Sequence, residues 1–312
     1  MTIDSNPMFS KVALLGVGLI GSSMAWAMRR AGLAAHIAGY SHRAETRDRA
    51  RAIGFADSVH DNVPSAVRNA DLVVLATPVG AFGTLAKEMA GDLRPGAILT
   101  DVGSVKTAVV RDVEPFVPDG VHFIPAHPIA GTEQSGPDAG FGELFDGRWC
   151  ILTPPPGVDG QALEKLQSFW QRLGSNVEVM DPKHHDLVLA ITSHVPHLIA
   201  YNIVGTAADL ETVTEGEVIK YSAGGFRDFT RIAASDPTMW RDVFLNNREA
   251  VLEMLGRFNE DLSALQRAIR WGDGDMLFNL FTRTRAIRRS IIDAGQDSAE
   301  PNFGRRKKKP QA

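Results

Sequence analysis

The 312-residue chain has one cysteine, Cys150, so no disulfide can form within it and stability must come from packing. Cys150 lies in a strand-like run, Arg148 to Leu152, which marks it as a buried thiol. A chain so poor in cysteine suits a reducing compartment, and a cytoplasmic location is expected. Excess charge is also missing. The 33 lysines and arginines oppose 37 aspartates and glutamates, a net charge of −4. That balance gives a polyanion nothing to bind, so nucleic acid is not expected as a partner. No uninterrupted apolar run approaches the roughly 18 residues needed to span a bilayer. The start, MTIDSNPMFSK, lacks the apolar centre of a secretory signal, and no membrane association is expected. No grouping of histidine, cysteine and carboxylate has metal-ligand spacing, so no metal site is expected. His184 and His185 are adjacent, point to different faces of a helix, and read as a solvated pair.

What is present begins at Lys11 to Gly21, KVALLGVGLIG. An apolar run predicts a buried strand, and a helical pattern follows through Met24 and Met28. The turn between them is Gly16-Val17-Gly18-Leu19-Ile20-Gly21. Gly16 permits the tight turn, Gly18 lets a pyrophosphate approach the backbone, and Gly21 lets helix and strand pack closely. The N–H groups at the start of the helix, around Leu19 and Ile20, face the phosphate charge. This context predicts a dinucleotide site. About twenty residues on, where an acidic side chain would bond the ribose 2′-hydroxyl of NAD, the chain has Ser41, with Arg43 two residues later. Without a carboxylate, and with a guanidinium able to pair a 2′-phosphate, the position favours NADP. Arg43 as a plain helix-start residue leaves NAD open.

Helices are predicted over Ala44 to Ile53, Ala81 to Ala90, Thr107 to Phe116 and Gln161 to Leu173. The strands between them are His36–Tyr40, Ala70–Ala76, Ala97–Thr100, Val121–Pro125, Trp149–Thr153 and Asn176–Val179. The nearly unbroken apolar texture of 70–76 belongs to a parallel strand covered on both faces. It ends at Thr77-Pro78, at the carboxyl edge where ligands bind in doubly wound sheets. From Asp181 the texture becomes wholly helical, over His184–Asp209, Glu211–Tyr221, Pro237–Trp271 and Met276–Asp293. The expected fold is an α/β Rossmann-type doubly wound, mainly parallel sheet followed by an all-α domain. The boundaries place a flexible N-terminus at 1–10, a dinucleotide-binding domain at 11–180, a helical domain at 181–294 and a disordered basic tail at 295–312.

Polar residues cluster at two strand ends, Ser104 in DVGSVK and His127 in HPIAGTE, and in the helical runs SHVPH (193–197) and GGFRDFTR (224–231). Ser104 and His127 end neighbouring strands and are expected to meet at hydrogen-bond distance beside a nicotinamide. A histidine there, with a pKa near 6.5, can take the proton of an alcohol being oxidised. A histidine before proline is otherwise commonly a loop residue. Arg231 offers planar, bidentate recognition of a carboxylate; its alternative is an ion pair with Asp228 or Asp236.

HPIAGTEQSG, SHVPHLIA and GGFRDFTRIAASDPTMW together resemble the prephenate/arogenate (cyclohexadienyl) dehydrogenase family of tyrosine biosynthesis, over residues 10–295. The resemblance implies a helical domain that makes a homodimer, and NAD(P)+-dependent oxidative decarboxylation of prephenate or arogenate. It implies that His127 is catalytic and that Ser104 hydrogen-bonds it. It places Arg231, His197, Ser193, Thr132 and Trp240 at the substrate, with Trp240 closing the pocket. Ser41 departs from the aspartate of many NAD-using members, which puts the cofactor in doubt. Glu133, six residues after His127, would pair with the ammonium of arogenate and favour it over prephenate, unless it pairs locally. Two other readings remain. A β-hydroxyacid dehydrogenase would want a catalytic lysine, for which Lys183 and Lys220 are the nearest candidates. A nucleotide-sensing protein without turnover would lack a proton acceptor at the sheet edge. With only 295–312 after the helical domain, any feedback by tyrosine is expected to act as competition at the active site.

Overall fold

A computed structural model describes residues 6–210 and 220–293. Most of the helix expected over Glu211–Tyr221, the basic tail at 295–312 and residues 1–5 lie outside the described residues. The chain divides into two compact units, Met1–Met254 and Leu255–Ala312.

The first unit is built on β1 (Phe9–Leu15), β2 (Ala34–Tyr40), β3 (Ser58–His60), β4 (Leu72–Leu75), β5 (Ile98–Asp101) and β6 (His122–Phe123). They form one sheet in the order β3-β2-β1-β4-β5-β6, every pair parallel. Strand order reverses between β1 and β4, the switch point at which such sheets bind nucleotides. Alternate residues of β1 serve two cores, as a sheet covered on both faces requires. Val12 and Leu14 pack with Met24 and Met28 of α1 (Leu19–Ala31) and with Phe169 and Trp170 of α6 (Gly160–Arg172). Ala13 and Leu15 pack with side chains of α3 (Val63–Val67), α4 (Phe82–Met89) and α5 (Thr107–Val113). The remaining helix of this part is α2 (Ala44–Ile53), ended by Gly54 in the left-handed conformation.

The expected doubly wound fold is present, with corrections. β3 and α3 are too short to leave a periodic signal. The strand expected over 121–125 stops at Phe123, and the chain re-enters as β7 (Ala126–Pro128) in a separate sheet. That sheet is β7 antiparallel to β8 (Trp149–Leu152), itself parallel to β9 (Asn176–Val179). His127 is therefore a strand residue, paired with Ile151, and not a loop residue. Cys150 is fully buried, and burial pushes its thiol well above the usual range.

Among the described residues, the helices after Asp181 are α7 (Pro182–Leu189), α8 (Val195–Leu210), α9 (Gly224–Thr230), α10 (Pro237–Asn246), α11 (Arg248–Trp271) and α12 (Gly274–Asp293). The predicted 237–271 helix is broken at Asn247, and a π turn, Ala190–His194, joins α7 to α8. Asp181 and Asp236 cap α7 and α10, and proline occupies the first turn of each. Contrary to expectation, one stretch among the described residues, Pro182–Leu210, is long and apolar enough by composition to cross a membrane. Interruption by single polar residues hid it from a search for unbroken apolar runs. The second unit holds the rest of α11 and α12, with Ile269, Trp271, Phe278 and Phe281 exposed.

The glycine turn after β1 has the geometry its spacing implies. Gly16 takes φ +116, where a side chain would strike the Ala76 carbonyl after β4. A Cβ on Gly21 would collide with the Gly16 carbonyl, whereas one on Gly18 would meet nothing within 4 Å. The turn is thus closed against the protein and open on the ligand side. Gly21→Ala should weaken dinucleotide binding at least about tenfold, because turn and helix must separate. Fluorescence titration with NAD+ and NADP+ checks this.

Candidate active site

The end of β5 carries Asp101, and the turn after it folds Lys106 back beneath the strand. Both side chains are fully buried and form an ion pair. Lys106 Nζ also donates to the Ala126 carbonyl at 2.7 Å, and the Ala126 N–H donates to Asp101 Oδ1 at 3.1 Å. Both main-chain polar groups of Ala126, the residue preceding His127, are held by one buried pair. Burial raises the Asp101 carboxyl and lowers the Lys106 ammonium, each opposed by the charge of the other. Removing either partner would strand the other charge, at a cost of about 3–5 kcal/mol.

The His127 ring is 7% exposed and its Nδ1 lies 2.9 Å from Nε2 of His185. His185 Nδ1 lies 2.9 Å from Oδ1 of Asp186. Asp186 also accepts from the N–H of Lys106 at 2.7 Å and of Thr107 at 2.9 Å, at the start of α5. Burial works against the Asp186 carboxylate, yet these hydrogen bonds hold it below the usual range. Burial, reinforced by the proximity of His185, Lys106 and His194, holds His127 well below the ordinary imidazole value. Burial also lowers His185, which Asp186 resists. The ring is therefore neutral at physiological pH. The pair His184–His185 is not solvated as expected: His184 is exposed, but His185 is buried against His127.

Ser104 is half-buried and, among the described residues, makes no hydrogen bond to His127. His194 is fully buried and shares a 3.0 Å contact with the Asn247 side-chain amide, while its Nε2 has no partner. Trp240, 6% exposed, stacks on His197 with ring centroids 3.6 Å apart, and its indole N–H is also unpartnered. His197 Nδ1 is 2.8 Å from the Ser193 carbonyl. Arg231 pairs with neither Asp228 nor Asp236. Its Nη1 meets Glu133 Oε2 at 2.8 Å, while Asp228 takes Arg227 and Asp236 caps α10. Thr132, exposed beside Glu133, accepts from the Gln134 N–H at 3.2 Å.

At the nucleotide end, Thr77 and Pro78 follow β4 and adjoin the Gly16 turn. Ser41 is buried after β2, and its Oγ accepts from the Arg43 N–H at 3.3 Å. Arg47 braces this turn by donating to the carbonyls of Ser41 and His42, both at 2.9 Å. The open face at Gly18, with no acidic side chain in the first turn of α1, fits a pyrophosphate.

Residues 24–179 match the family model of the prephenate dehydrogenase nucleotide-binding domain, and residues 181–283 that of its dimerization domain. The chain belongs to the prephenate dehydrogenase family. It is 42% identical over 283 residues to a cyclohexadienyl dehydrogenase of Zymomonas mobilis, spanning 91% of this chain and 96% of that one. It is 33% identical to a Bacillus subtilis prephenate dehydrogenase over 96% of this chain and 80% of the other. Among solved structures, Aquifex aeolicus prephenate dehydrogenase with hydroxyphenyl propionate and NAD+ matches with TM-score 0.84 and 36% identity. That match covers 90% of this chain and 98% of the other. Synechocystis arogenate dehydrogenase matches with TM-score 0.74 and 28% identity, over 90% and 99%.

Reading of the residues missed Asp101, Lys106, His185, Asp186 and His194. A signal existed for His185 and Asp186: each stands four residues before an apolar position, Leu189 and Ala190, on the buried face of a helix. Burial holds His194 at about pKa 4. An unfolded histidine binds its proton near pH 6.5, so between these values the unfolded state carries more protons and stability falls as pH falls. The loss from His194 should be up to about 3 kcal/mol between pH 6.5 and 4. Urea unfolding at stepped pH checks it, and His194→Asn should flatten the slope.

Proposed function

We propose that the chain oxidatively decarboxylates cyclohexadienyl acids, arogenate or prephenate, with His127 as proton acceptor, in tyrosine biosynthesis. The observation that carries this reading is a neutral, buried histidine on β7, the strand that the Asp101–Lys106 pair ties to the end of β5, in a chain of the prephenate dehydrogenase family. Bound nicotinamide supplies the acceptor for the hydride that leaves C4 of the ring. The C4 hydroxyl proton passes to His127, the bond from C1 to its carboxylate breaks as CO2, and its electron pair completes the aromatic ring. The proton then returns to the phenol oxygen. Aromatisation drives the step, so the protein has to orient the substrate, hold its carboxylates and keep a base neutral.

Arg231 binds a substrate carboxylate by exchanging it for Glu133. The pair they form is partly exposed, 43% and 35%, and such pairs contribute only about 0–1 kcal/mol, so the exchange costs little. Glu133 then faces the side-chain amine of arogenate, which supports acceptance of arogenate beside prephenate. His197, Ser193, Thr132 and Trp240 line the substrate side, and Ser104 lies near the nicotinamide. Gly16, Gly18, Leu19, Ile20, Gly21, Thr77 and Pro78 hold the dinucleotide. Ser41 and Arg43 favour NADP+ over NAD+, because no carboxylate opposes a 2′-phosphate there. The β-hydroxyacid dehydrogenase reading loses its lysines, since Lys183 and Lys220 are exposed. A homodimer is supported by apolar side chains exposed on the single chain, such as Ile203 and Val204 on α8 and Phe278 on α12. A cytoplasmic location follows from the biosynthetic role.

Purified protein should reduce NAD+ or NADP+ when given prephenate or arogenate, followed at 340 nm; silence with all four pairs would sink the reading. His127→Asn should lower kcat by about 10²–10⁴-fold with dinucleotide affinity kept. Arg43→Ala should raise the KM for NADP+ by about tenfold and leave that for NAD+ within twofold. Equal changes for both cofactors would remove Arg43 from the choice.

A further inference from the structure

The hydrogen-bond chain behind His127 starts from a group of one polarity. An ionised carboxylate only accepts, and Asp186 already takes two backbone N–H groups. In its third bond, at 2.9 Å, His185 Nδ1 must carry the proton. A neutral His185 with Nδ1 protonated has a bare Nε2, which can only accept. That Nε2 lies 2.9 Å from His127 Nδ1, so His127 Nδ1 must be the donor. Neutral His127 then has its lone pair on Nε2.

We propose that His185, oriented by Asp186, is a positioning residue that locks His127 in the Nδ1-protonated form and reserves Nε2 to take the substrate hydroxyl proton. The inference rests on His127 being the base. It adds a direction to it: which nitrogen acts, and what decides. As the alcohol O–H breaks, the new N–H forms at Nε2, while Nδ1–H goes on donating to His185. His185 never binds the travelling proton. A doubly protonated His185 would present Nε2–H to His127, turn the chain around and block the base. Burial, which keeps His185 neutral, prevents this. Four backbone-anchored elements hold the arrangement. Asp186 ties α7 to α5, and the Asp101–Lys106 pair fixes Ala126 of β7 through both its N–H and its carbonyl.

Two measurements on the full-length protein test this. In the first, the enzyme labelled with ¹⁵N-histidine is examined by NMR near neutral pH, with and without NAD+, and the His127 signals are assigned by their loss in His127→Asn. Protonation at Nδ1 and a bare Nε2 is expected, and a proton on Nε2 would overturn the proposal. The second is His185→Asn, which should lower kcat by about 10- to 100-fold while KM for the cyclohexadienyl acid and NAD+ affinity stay within about twofold. The groups facing His127 are His185 and Asp186 from α7, His194 from the π turn, Asp101 and Lys106 at the end of β5, and Cys150 from β8. Loss of the His185 ring, whose proximity lowers His127, should move the acid limb of kcat/KM to higher pH. A kcat within twofold and an unmoved limb would reject the role. If His185→Asn does not fold, the nitrogen signals of the unaltered enzyme still decide. Undiminished turnover in His127→Asn would instead overturn the base reading, and the tautomer measurement would stand apart from it.

Discussion

The buried pair of Asp101 and Lys106 is the constraint from which the site is built. Two charges without water are tolerated only when every donor and acceptor on them is used. Here the surplus valences go to main-chain groups, the N–H and carbonyl of Ala126 and the N–H of Gly103. The pair therefore does more than satisfy itself. It joins the end of the parallel sheet to the start of the second sheet and sets where His127 leaves the backbone. The N–H of Lys106 then reaches Asp186, so the same turn also positions the helix that carries His185. Strand, turn and helix are referred to a single buried point.

Dryness at that point and wetness a short distance away divide the labour. Around His127 the histidines are held neutral by burial, which suits the proton-accepting task proposed for it. Arg231 and Glu133 are half in solvent, where an ion pair is weak and can change partners. The proposed base is held in an environment that does not fluctuate, whereas the proposed carboxylate receptor, Arg231, would release one anion to take another.

At the nucleotide end, three glycines are required for three separate reasons. Gly16 has a backbone conformation that side chains avoid and touches the chain after β4. Gly21 brings helix and turn into contact, and Gly18 is bare toward the ligand. The turn between β1 and α1 and the end of β4 flank the reversal in strand order, so the opening they frame is a product of sheet topology.

Much of this could be read from residue order, and the remainder could not, for identifiable reasons. Glycine spacing, apolar strand texture and the long motifs of the helical part are local patterns, and local sterics and period suffice to read them. They determined the doubly wound sheet, the nucleotide turn, the helical half and His127, Arg231 and Trp240 as residues of interest. Pairings across 58 residues, such as His127 with His185, or across 98, such as Arg231 with Glu133, leave no local trace. Solvated histidines and a buried hydrogen-bonded pair have the same letters, since burial belongs to the packed chain and not to the residue. The sequence by itself determined which groups are available for the chemistry. Only the tertiary structure decided their protonation and partners, because desolvation and hydrogen-bond direction exist only once distant segments meet.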